Sequence, residues 1–178
     1  MMGILLKIWK KLRLSKSLQL KIMRFFNNQF LIGVTGIIFN DKNEVLLFKH
    51  TYREIAWSLP GGYMKGKEHP KEALEREIKE ESGFTISIDW RMKARTDRDT
   101  ARLDLPYIGS FIGGKFTASK EVSDYRFFDF NSLPQIRKDQ LFLIQTALEQ
   151  RKAFFKEPSR KGKIDQKYEQ IRQEIAHL

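Results

Sequence analysis

The stretch from Gly62 to Phe84 constrains this chain more than any other, because it defines a helix together with both of its ends. Pro70 suits the first turn of a helix, since its missing N–H would have no partner there in any case. Gly83 can adopt the left-handed conformation that ends many helices. The sequence therefore predicts a helix over roughly residues 70–82, about 18 Å long.

Three glutamates of this helix fall on one side: Glu77, Glu80 and Glu81. At about 100° per residue they share an arc of roughly 100°, which borders the apolar side chains of Leu74 and Ile78. Like charges at this spacing repel each other, and a position at the edge of the core raises the cost of ionising all three. A hard divalent cation with oxygen ligands removes both penalties. The pattern favours a metal site over a solvated acidic face, because the opposite side of the helix already carries its own charges.

The fixed positions of the stretch also form a motif. It reads Gly62, five residues, Glu68, seven residues, and then REIKEESGF from Arg76 to Phe84. This pattern resembles the signature of the Nudix (MutT-like) hydrolases, G-x5-E-x7-R-E-U-x-E-E-x-G-U, in which U is a bulky apolar residue. Every fixed position matches, although Phe84 is larger than the usual aliphatic residue. A P-loop is rejected for the GxxxxGK segment from Gly61 to Lys67, because a glutamate follows where a P-loop has Ser or Thr.

The resemblance covers roughly residues 30–153 and implies an α/β fold of the Nudix type, an α/β/α sandwich with a mixed sheet between helices. It also implies a pyrophosphohydrolase that cleaves a nucleoside diphosphate linked to a moiety X. The substrate would be a nucleoside triphosphate or a nucleotide derivative, attacked at phosphorus by a metal-activated water. The alternative is a Nudix-fold module that binds a nucleotide without cleaving it. The presence of all three helix glutamates argues against that alternative.

The resemblance further assigns roles to individual residues. The helix glutamates would be ligands and catalytic groups for one to three Mg²⁺ or Mn²⁺ ions, with the backbone carbonyl of Gly61 as a further ligand. Arg76 resembles the family arginine that pairs with Glu68 and orients the neighbouring glutamates. Glu121, just before a later strand, lies where a further metal ligand or general base is often found, although a surface-loop acid fits its position equally well.

The substrate-contacting residues are indicated less strongly. Trp57 and Tyr63 could stack on a base, but aromatic residues near an apolar sheet more often belong to the core. Arg95 and Arg98 could bind phosphates, or could belong to a solvated basic loop. The chain has no SQPWPFPxS segment, which disfavours an NADH pyrophosphatase. Markers of ADP-ribose and dinucleoside polyphosphate hydrolases are not evident either.

Composition limits the remaining possibilities. A chain of 178 residues predicts one domain with appendages: residues 30–155, a basic helical extension at 1–29 and a polar helical tail at 156–178. Cysteine is absent, which excludes disulfides, thiol catalysis and thiolate zinc sites. Residues 31–150 carry eighteen charges of each sign, whereas residues 1–30 carry seven basic residues and no acidic one. The basic excess therefore concerns partners or docking more than catalysis.

Residues 1–30 read as one or two amphipathic helices, with Ser15 or Ser17 as the cap of the second. We expect the segment from Leu18 to Phe26 to dock on the domain or across a dimer. The segment from Leu5 to Leu12 is the better candidate for a lipid or partner contact. Lysines interrupt its apolar stretch, so no secretory signal is predicted. The expected location is the cytoplasm, with membrane-surface contact through residues 1–14 and a homodimer left open, and no specific nucleic-acid partner.

Alternation of apolar residues predicts the strands of the sheet, with residues 51–61 as a loop and residues 91–102 as a polar segment. Pro106 is expected to mark an edge strand or a bulge. The predicted strands are Phe30–Phe39, Glu44–His50, Phe84–Trp90, Leu103–Ile112 and Asp124–Phe130, followed by a closing helix at Arg137–Phe155.

Overall fold

The computed structural model describes residues 14–155, 162 and 166–173. Its helices are α1 (Lys16–Phe26), α2 (Pro70–Ser82) and α3 (Lys138–Phe155), with a 3₁₀ turn at Phe130–Ser132, and residues 166–173 are also helical. Its strands are β1 (Leu31–Phe39), β2 (Val45–His50), β3 (Trp57–Ser58), β4 (Gly61–Tyr63), β5 (Thr85–Arg91), β6 (Arg95–Asp97), β7 (Arg102–Gly113) and β8 (Val122–Phe128).

The eight strands form one mixed sheet whose main path is β3-β2-β1-β7-β5. The central pair, β1 and β7, is parallel and runs in register from Leu31 opposite Arg102 to Phe39 opposite Ser110. The other pairings are antiparallel, with β4 on β1, β6 on β7 and β8 on β2. The mixed sheet predicted from the sequence is confirmed.

Each face of the sheet carries its own hydrophobic core, because alternate side chains of β1 point to opposite faces. Val34 and Ile38 pack with Leu74 and Ile78 of α2 on one face. On the other face, the apolar side chains of the sheet pack against Leu143, Ile144 and Ala147 of α3. The sheet therefore lies between helices, as the α/β/α prediction requires.

Local interactions set both ends of α2, at the residues that the sequence indicates. The ring of His69 accepts a hydrogen bond from the N–H of Lys71, and the side chain of Glu72 accepts one from the N–H of His69, at 2.8 Å. This capping box satisfies backbone N–H groups that the helix cannot pair. Gly83 ends the helix with a φ angle of 77°, and its N–H donates to the carbonyl of Lys79.

Three expectations about strands need correction. The predicted loop at residues 51–61 contains β3 and the start of β4, and the polar segment at 91–102 contains β6. Pro106 lies in the interior strand β7, not at an edge, and the register shifts between β5 and β7 lie at other residues. Its missing N–H falls between the stretches of β7 that pair with β5 and with β6, while its carbonyl still accepts a hydrogen bond from the N–H of Met92 at 2.9 Å.

The helix α1 begins after Ser15, one of the two predicted caps, whose hydroxyl accepts from the N–H of Leu18. The expected docking of the segment from Leu18 to Phe26 on its own domain is wrong, because α1 buries none of its residues. Both faces of the sheet are already covered by α2 and α3. The predicted contact segment from Leu5 to Leu12 lies outside the described residues. No helix in the described parts of the chain has the length and apolar character needed to cross a membrane.

Candidate active site

Two consecutive glycines bring β4 against both β1 and α2. Thr35 pairs with Gly61, and Val34 pairs with Gly62. A Cβ atom on Gly61 would lie 2.2 Å from the carbonyl oxygen of Val34, and the φ angle of Gly61 is 155°. A Cβ atom on Gly62 would lie 2.4 Å from the carboxyl carbon of Glu77. The backbone therefore requires the first glycine, and a functional side chain requires the second.

Alanine at these two positions should have separable effects. The Cβ atom of Gly61→Ala would clash with the backbone of β1, which cannot move aside. We therefore expect a loss of roughly 2–4 kcal/mol in the free energy of unfolding. The Cβ atom of Gly62→Ala would clash only with the carboxyl group of Glu77, which ends a flexible side chain. Glu77 should therefore move, while the free energy of unfolding changes by less than about 1 kcal/mol. The displaced carboxylate should lower hydrolysis by up to about 10²-fold. Urea unfolding and hydrolysis rates test both expectations, and an equal loss of stability in the two variants would contradict them.

Arg76 holds together acidic side chains of α2 and of the segment that precedes it. Its Nε and Nη2 atoms donate to the two carboxylate oxygens of Glu68 at 3.0 and 2.9 Å. Its Nη1 atom donates to Glu77 at 2.7 Å and to Glu80 at 3.3 Å. The hydrogen bonds from Arg76 are the main reason that the pKa of Glu68 falls to about 2. The pairing of Arg76 with Glu68 that the resemblance implied is present in the structure.

Glu81 is the buried member of the three helix glutamates, with only 7% of its surface exposed. Its Oε2 atom has no hydrogen-bond partner among the described residues. Burial, followed by the charges of Glu77 and Glu121, raises the pKa of Glu81 to about 8. Burial and the neighbouring negative charges therefore disfavour the ionised form of this carboxylate.

The donor set fits a divalent cation. Three carboxylates share one side of α2, and the unpaired oxygen of Glu81 is an acceptor of the kind that hard cations bind. Across the described part of the chain, no three acidic or histidine side chains are already arranged around a metal position. Arg76 forms ion pairs with both Glu77 and Glu80.

Glu121 lies in the loop immediately before β8. Its charge contributes to the raised pKa of Glu81. Its carbonyl accepts a hydrogen bond from the N–H of Thr51 at 3.0 Å, which ties this loop to the end of β2. The structure thus brings together residues that are 40 positions apart in the sequence. Glu121 therefore interacts electrostatically with Glu81.

Arg53, for which the sequence predicted no role, also acts electrostatically on Glu81. Its Nη1 atom donates to the buried hydroxyl of Ser58 at 2.8 Å. Its positive charge lowers the pKa of both Glu81 and His50. Arg53 precedes β3 and the glycine pair in the sequence, and no local pattern indicated that its charge would act on Glu81.

His50 is buried beside Arg53, and neither ring nitrogen has a hydrogen-bond partner among the described residues. Burial, and then the charge of Arg53, lowers the pKa of His50 to about 4 from an ordinary value of 6.5. In the unfolded chain His50 is protonated below about pH 6.5, whereas in the folded chain it stays neutral down to about pH 4. Stability should therefore fall as the pH drops through this window, by up to about 3 kcal/mol.

His50→Phe should remove this part of the acid sensitivity. Urea unfolding at pH 7 and pH 4.5 measures the loss of free energy for both proteins, and the wild type should lose more. Carboxylates titrate in both proteins, so only the difference between them reports on His50. Equal losses would show that His50 does not resist protonation.

The four predicted substrate residues are not gathered in one place. Trp57 packs in the core on the α3 face, with its ring 5.2 Å from that of Phe128. Tyr63 is half exposed next to the glycine pair, and its carbonyl accepts a hydrogen bond from Arg76 at 3.2 Å. Arg95 donates to the carbonyl of Asp139 at the start of α3, whereas Arg98 is exposed in the turn after β6.

A second polar cluster next to Tyr63 was not found by sequence reasoning. Thr35 donates to the carboxylate of Asp104 at 2.9 Å, and Arg102 reaches the same oxygen at 3.4 Å. The guanidinium of Arg102 also lies 5.1 Å from the centre of the Tyr63 ring. The pairing of the distant strands β1 and β7 creates this cluster, so no local pattern could have indicated it.

The sequence of this chain is similar to those of known proteins. A family model described as the NUDIX domain matches residues 29–147. An ADP-ribose pyrophosphatase of Methanocaldococcus jannaschii is 32% identical over 120 residues, which are 64% of this chain and 70% of that protein. The 8-oxo-dGDP phosphatase NUDT18 of Homo sapiens is 31% identical over 91 residues, which are 50% of this chain but 28% of that protein.

Solved structures share the fold. The crystal structure of a UDP-X diphosphatase matches with a TM-score of 0.61 at 21% identity, over 78% of this chain and 73% of that one. An ADP-ribose pyrophosphatase from Streptococcus suis matches with a TM-score of 0.58 at 23% identity, over 67% of this chain and 92% of that one. At these identities the likeness concerns the fold.

Proposed function

The chain belongs to the Nudix family and is a hydrolase that acts on diphosphate bonds, and on that premise we propose that it is a Mg²⁺- or Mn²⁺-dependent pyrophosphohydrolase of nucleoside diphosphate derivatives. The observation that carries the proposal is the carboxylate of Glu81. It is buried and unpaired, and it lies on one arc of α2 with Glu77 and Glu80. The proposed catalytic domain spans residues 30–155, between extensions at 1–29 and 156–178.

We propose a separate role in metal binding or catalysis for each of the residues at this site. Glu77, Glu80 and Glu81, with the carbonyl of Gly61, would hold the divalent cation. The bound cation supplies Lewis-acid stabilisation of phosphate oxygens and activation of the attacking water. Arg76 keeps the carboxylates in place through its hydrogen bonds. A carboxylate within reach of the water accepts its proton, and Glu121 or a helix glutamate is the proposed general base.

In the reaction, the oxygen of water forms a bond to a phosphorus of the diphosphate. The bond from that phosphorus to the bridging oxygen breaks, and two phosphorylated products leave. Burial of Glu81 keeps its charge poorly solvated, so its attraction for a cation is strong compared with that of an exposed carboxylate. Arg53, which acts electrostatically on Glu81, is positioned to offset the negative charge of the substrate phosphates.

Support for the substrate class comes from the names of the relatives. These proteins are named for ADP-ribose, for 8-oxo-dGDP and for UDP-X, all of which contain a nucleoside diphosphate. We therefore place a nucleoside diphosphate derivative ahead of a nucleoside triphosphate as the substrate.

The test is a panel of ADP-ribose, 8-oxo-dGDP, UDP-sugars and nucleoside triphosphates, incubated with Mg²⁺ or Mn²⁺ and with products identified by mass. We expect metal-dependent cleavage of at least one diphosphate compound, and no cleavage in EDTA. Cleavage that persists in EDTA would refute the proposed metal role. A nucleotide that raises the melting temperature yet stays intact with either metal would support the binding module instead.

A further inference from the structure

The helix α1 presents an apolar face that nothing in the described chain covers. Leu18, Ile22, Phe25 and Phe26 fall within an arc of about 100° when the helix is wound at about 100° per residue. Phe25 is 83% exposed and Phe26 is 78% exposed. Two large aromatic side chains at one helix end, both facing outward, are unusual on a folded surface without a partner.

The basic residues of the same helix lie mainly away from this apolar face. Lys16 and Arg24 lie on the other half of the wheel, which they share with the exposed Leu20 and Met23, and Lys21 lies at the border of the two halves. The helix contains no acidic residue. Residues 1–13, which precede it in the sequence, add four basic residues and no acidic one. The segment therefore combines an apolar face with a high and unbalanced positive charge.

This positive charge distinguishes between two partners that could cover the apolar face, a second copy of the chain and a lipid surface. A second copy of the chain would bring together two segments with seven basic residues and no acidic one each. The domain between residues 31 and 150 has equal numbers of basic and acidic residues, so it offers no net negative charge as compensation. A surface of anionic lipid satisfies both faces at once, since its headgroups attract the lysines and its acyl region accepts the phenylalanines.

We propose that α1 is a membrane-surface helix that places Phe25 and Phe26 into the interface of an anionic bilayer, with its basic side chains at the headgroups. The helix is about 16 Å long and lies in the plane of the interface. The contact that the sequence predicted for residues 1–14 is thereby assigned to the segment from Lys16 to Phe26. The proposal is independent of the reaction that the active site performs.

Vesicle sedimentation with the full chain tests this proposal. The vesicles are phosphatidylcholine alone and phosphatidylcholine with phosphatidylserine, at low and high salt. We expect binding to the anionic vesicles only, weakened by high salt. The double variants Phe25→Ser/Phe26→Ser and Lys21→Glu/Arg24→Glu should each lower the partition coefficient by at least about tenfold.

The matched control is Phe142→Ser, which removes a phenylalanine that is 64% exposed on α3. It should bind vesicles as the wild type does. Because α1 buries none of its residues and Phe142 is mostly exposed, all variants should keep their fold, which circular dichroism and nucleotide hydrolysis verify. Equal binding to neutral vesicles, or loss of binding in the control as well, would overturn the proposal. So would a lack of vesicle binding accompanied by a dimer that dissociates in Phe25→Ser/Phe26→Ser.

Discussion

Replacing Glu81 by glutamine is expected to lower hydrolysis by two to three orders of magnitude, which corresponds to about 3–4 kcal/mol of transition-state stabilisation. The amide keeps the size of the side chain but carries no negative charge for a cation. Glu80→Gln should cause a comparable loss of activity, because Glu80 shares the arc on α2 with Glu77 and Glu81. Steady-state rates with the best substrate of the nucleotide panel, over a range of Mg²⁺ concentrations, measure both effects.

The same substitution at Glu81 should make the metal-free protein more stable. The pKa of Glu81 is raised to about 8 in the folded chain from an ordinary 4.5, so the folded state holds a proton that the unfolded state releases. Ionised Glu81 therefore destabilises the fold increasingly from about pH 4.5 upward, and fully above about pH 8. Glu81→Gln removes this penalty, and in EDTA at pH 8 it should raise the free energy of unfolding by roughly 2–5 kcal/mol.

Adding Mg²⁺ should reverse part of this difference, because a cation that binds the folded state stabilises the wild type more than the variant. Glu75→Gln is the matched control, since Glu75 lies exposed on the other side of the same helix. It should change neither activity nor the response to Mg²⁺ appreciably. A Glu81→Gln protein that keeps wild-type activity, or that is less stable than the wild type in EDTA at pH 8, would contradict the role given to this carboxylate.

The parts of the fold that follow local rules were predictable from the sequence. The bounds of α2 follow from Pro70 and Gly83, which act within a single turn of the helix. The winding of α2 also places Glu81 next to Leu74, and the structure shows Glu81 to be buried while Glu80 remains more than half exposed. Helical periodicity thus indicated which of the three glutamates borders the core.

The parts that depend on long-range pairing could not be predicted. The strands β3 and β4 contain two and three residues, too few to show a periodicity, and they form because β2 and β1 offer them edges. Arg53 and Glu121 act on Glu81 from segments that are 28 and 40 positions away in the sequence. The exposure of α1 was also not predicted. An amphipathic pattern indicates that one face of a helix is apolar, but it does not indicate what covers that face.

Replacing Arg76 by alanine should reduce both activity and stability. Its guanidinium engages Glu68, Glu77 and Glu80, and it is only 20% exposed. Without it, three carboxylates repel one another close to the core, so we expect a loss of roughly 1–3 kcal/mol in the free energy of unfolding. Activity should fall by about 10²-fold, because the carboxylates that hold the cation are no longer positioned. The Mg²⁺ concentration needed for half-maximal activity should rise at the same time.

Arg76→Lys separates charge from geometry. A lysine keeps the positive charge but cannot bridge Glu68 and Glu77 with a planar fork of donors. We expect it to restore most of the stability and only a minor part of the activity. Arg137→Ala is the control for loss of an exposed pair, since Arg137 bonds Asp139 at 3.0 Å with 63% of its side chain exposed. That variant should stay within about 0.5 kcal/mol of the wild type. Full activity in Arg76→Lys would mean that only the charge matters, and that the two-sided hydrogen bonding of Arg76 does not position the glutamates.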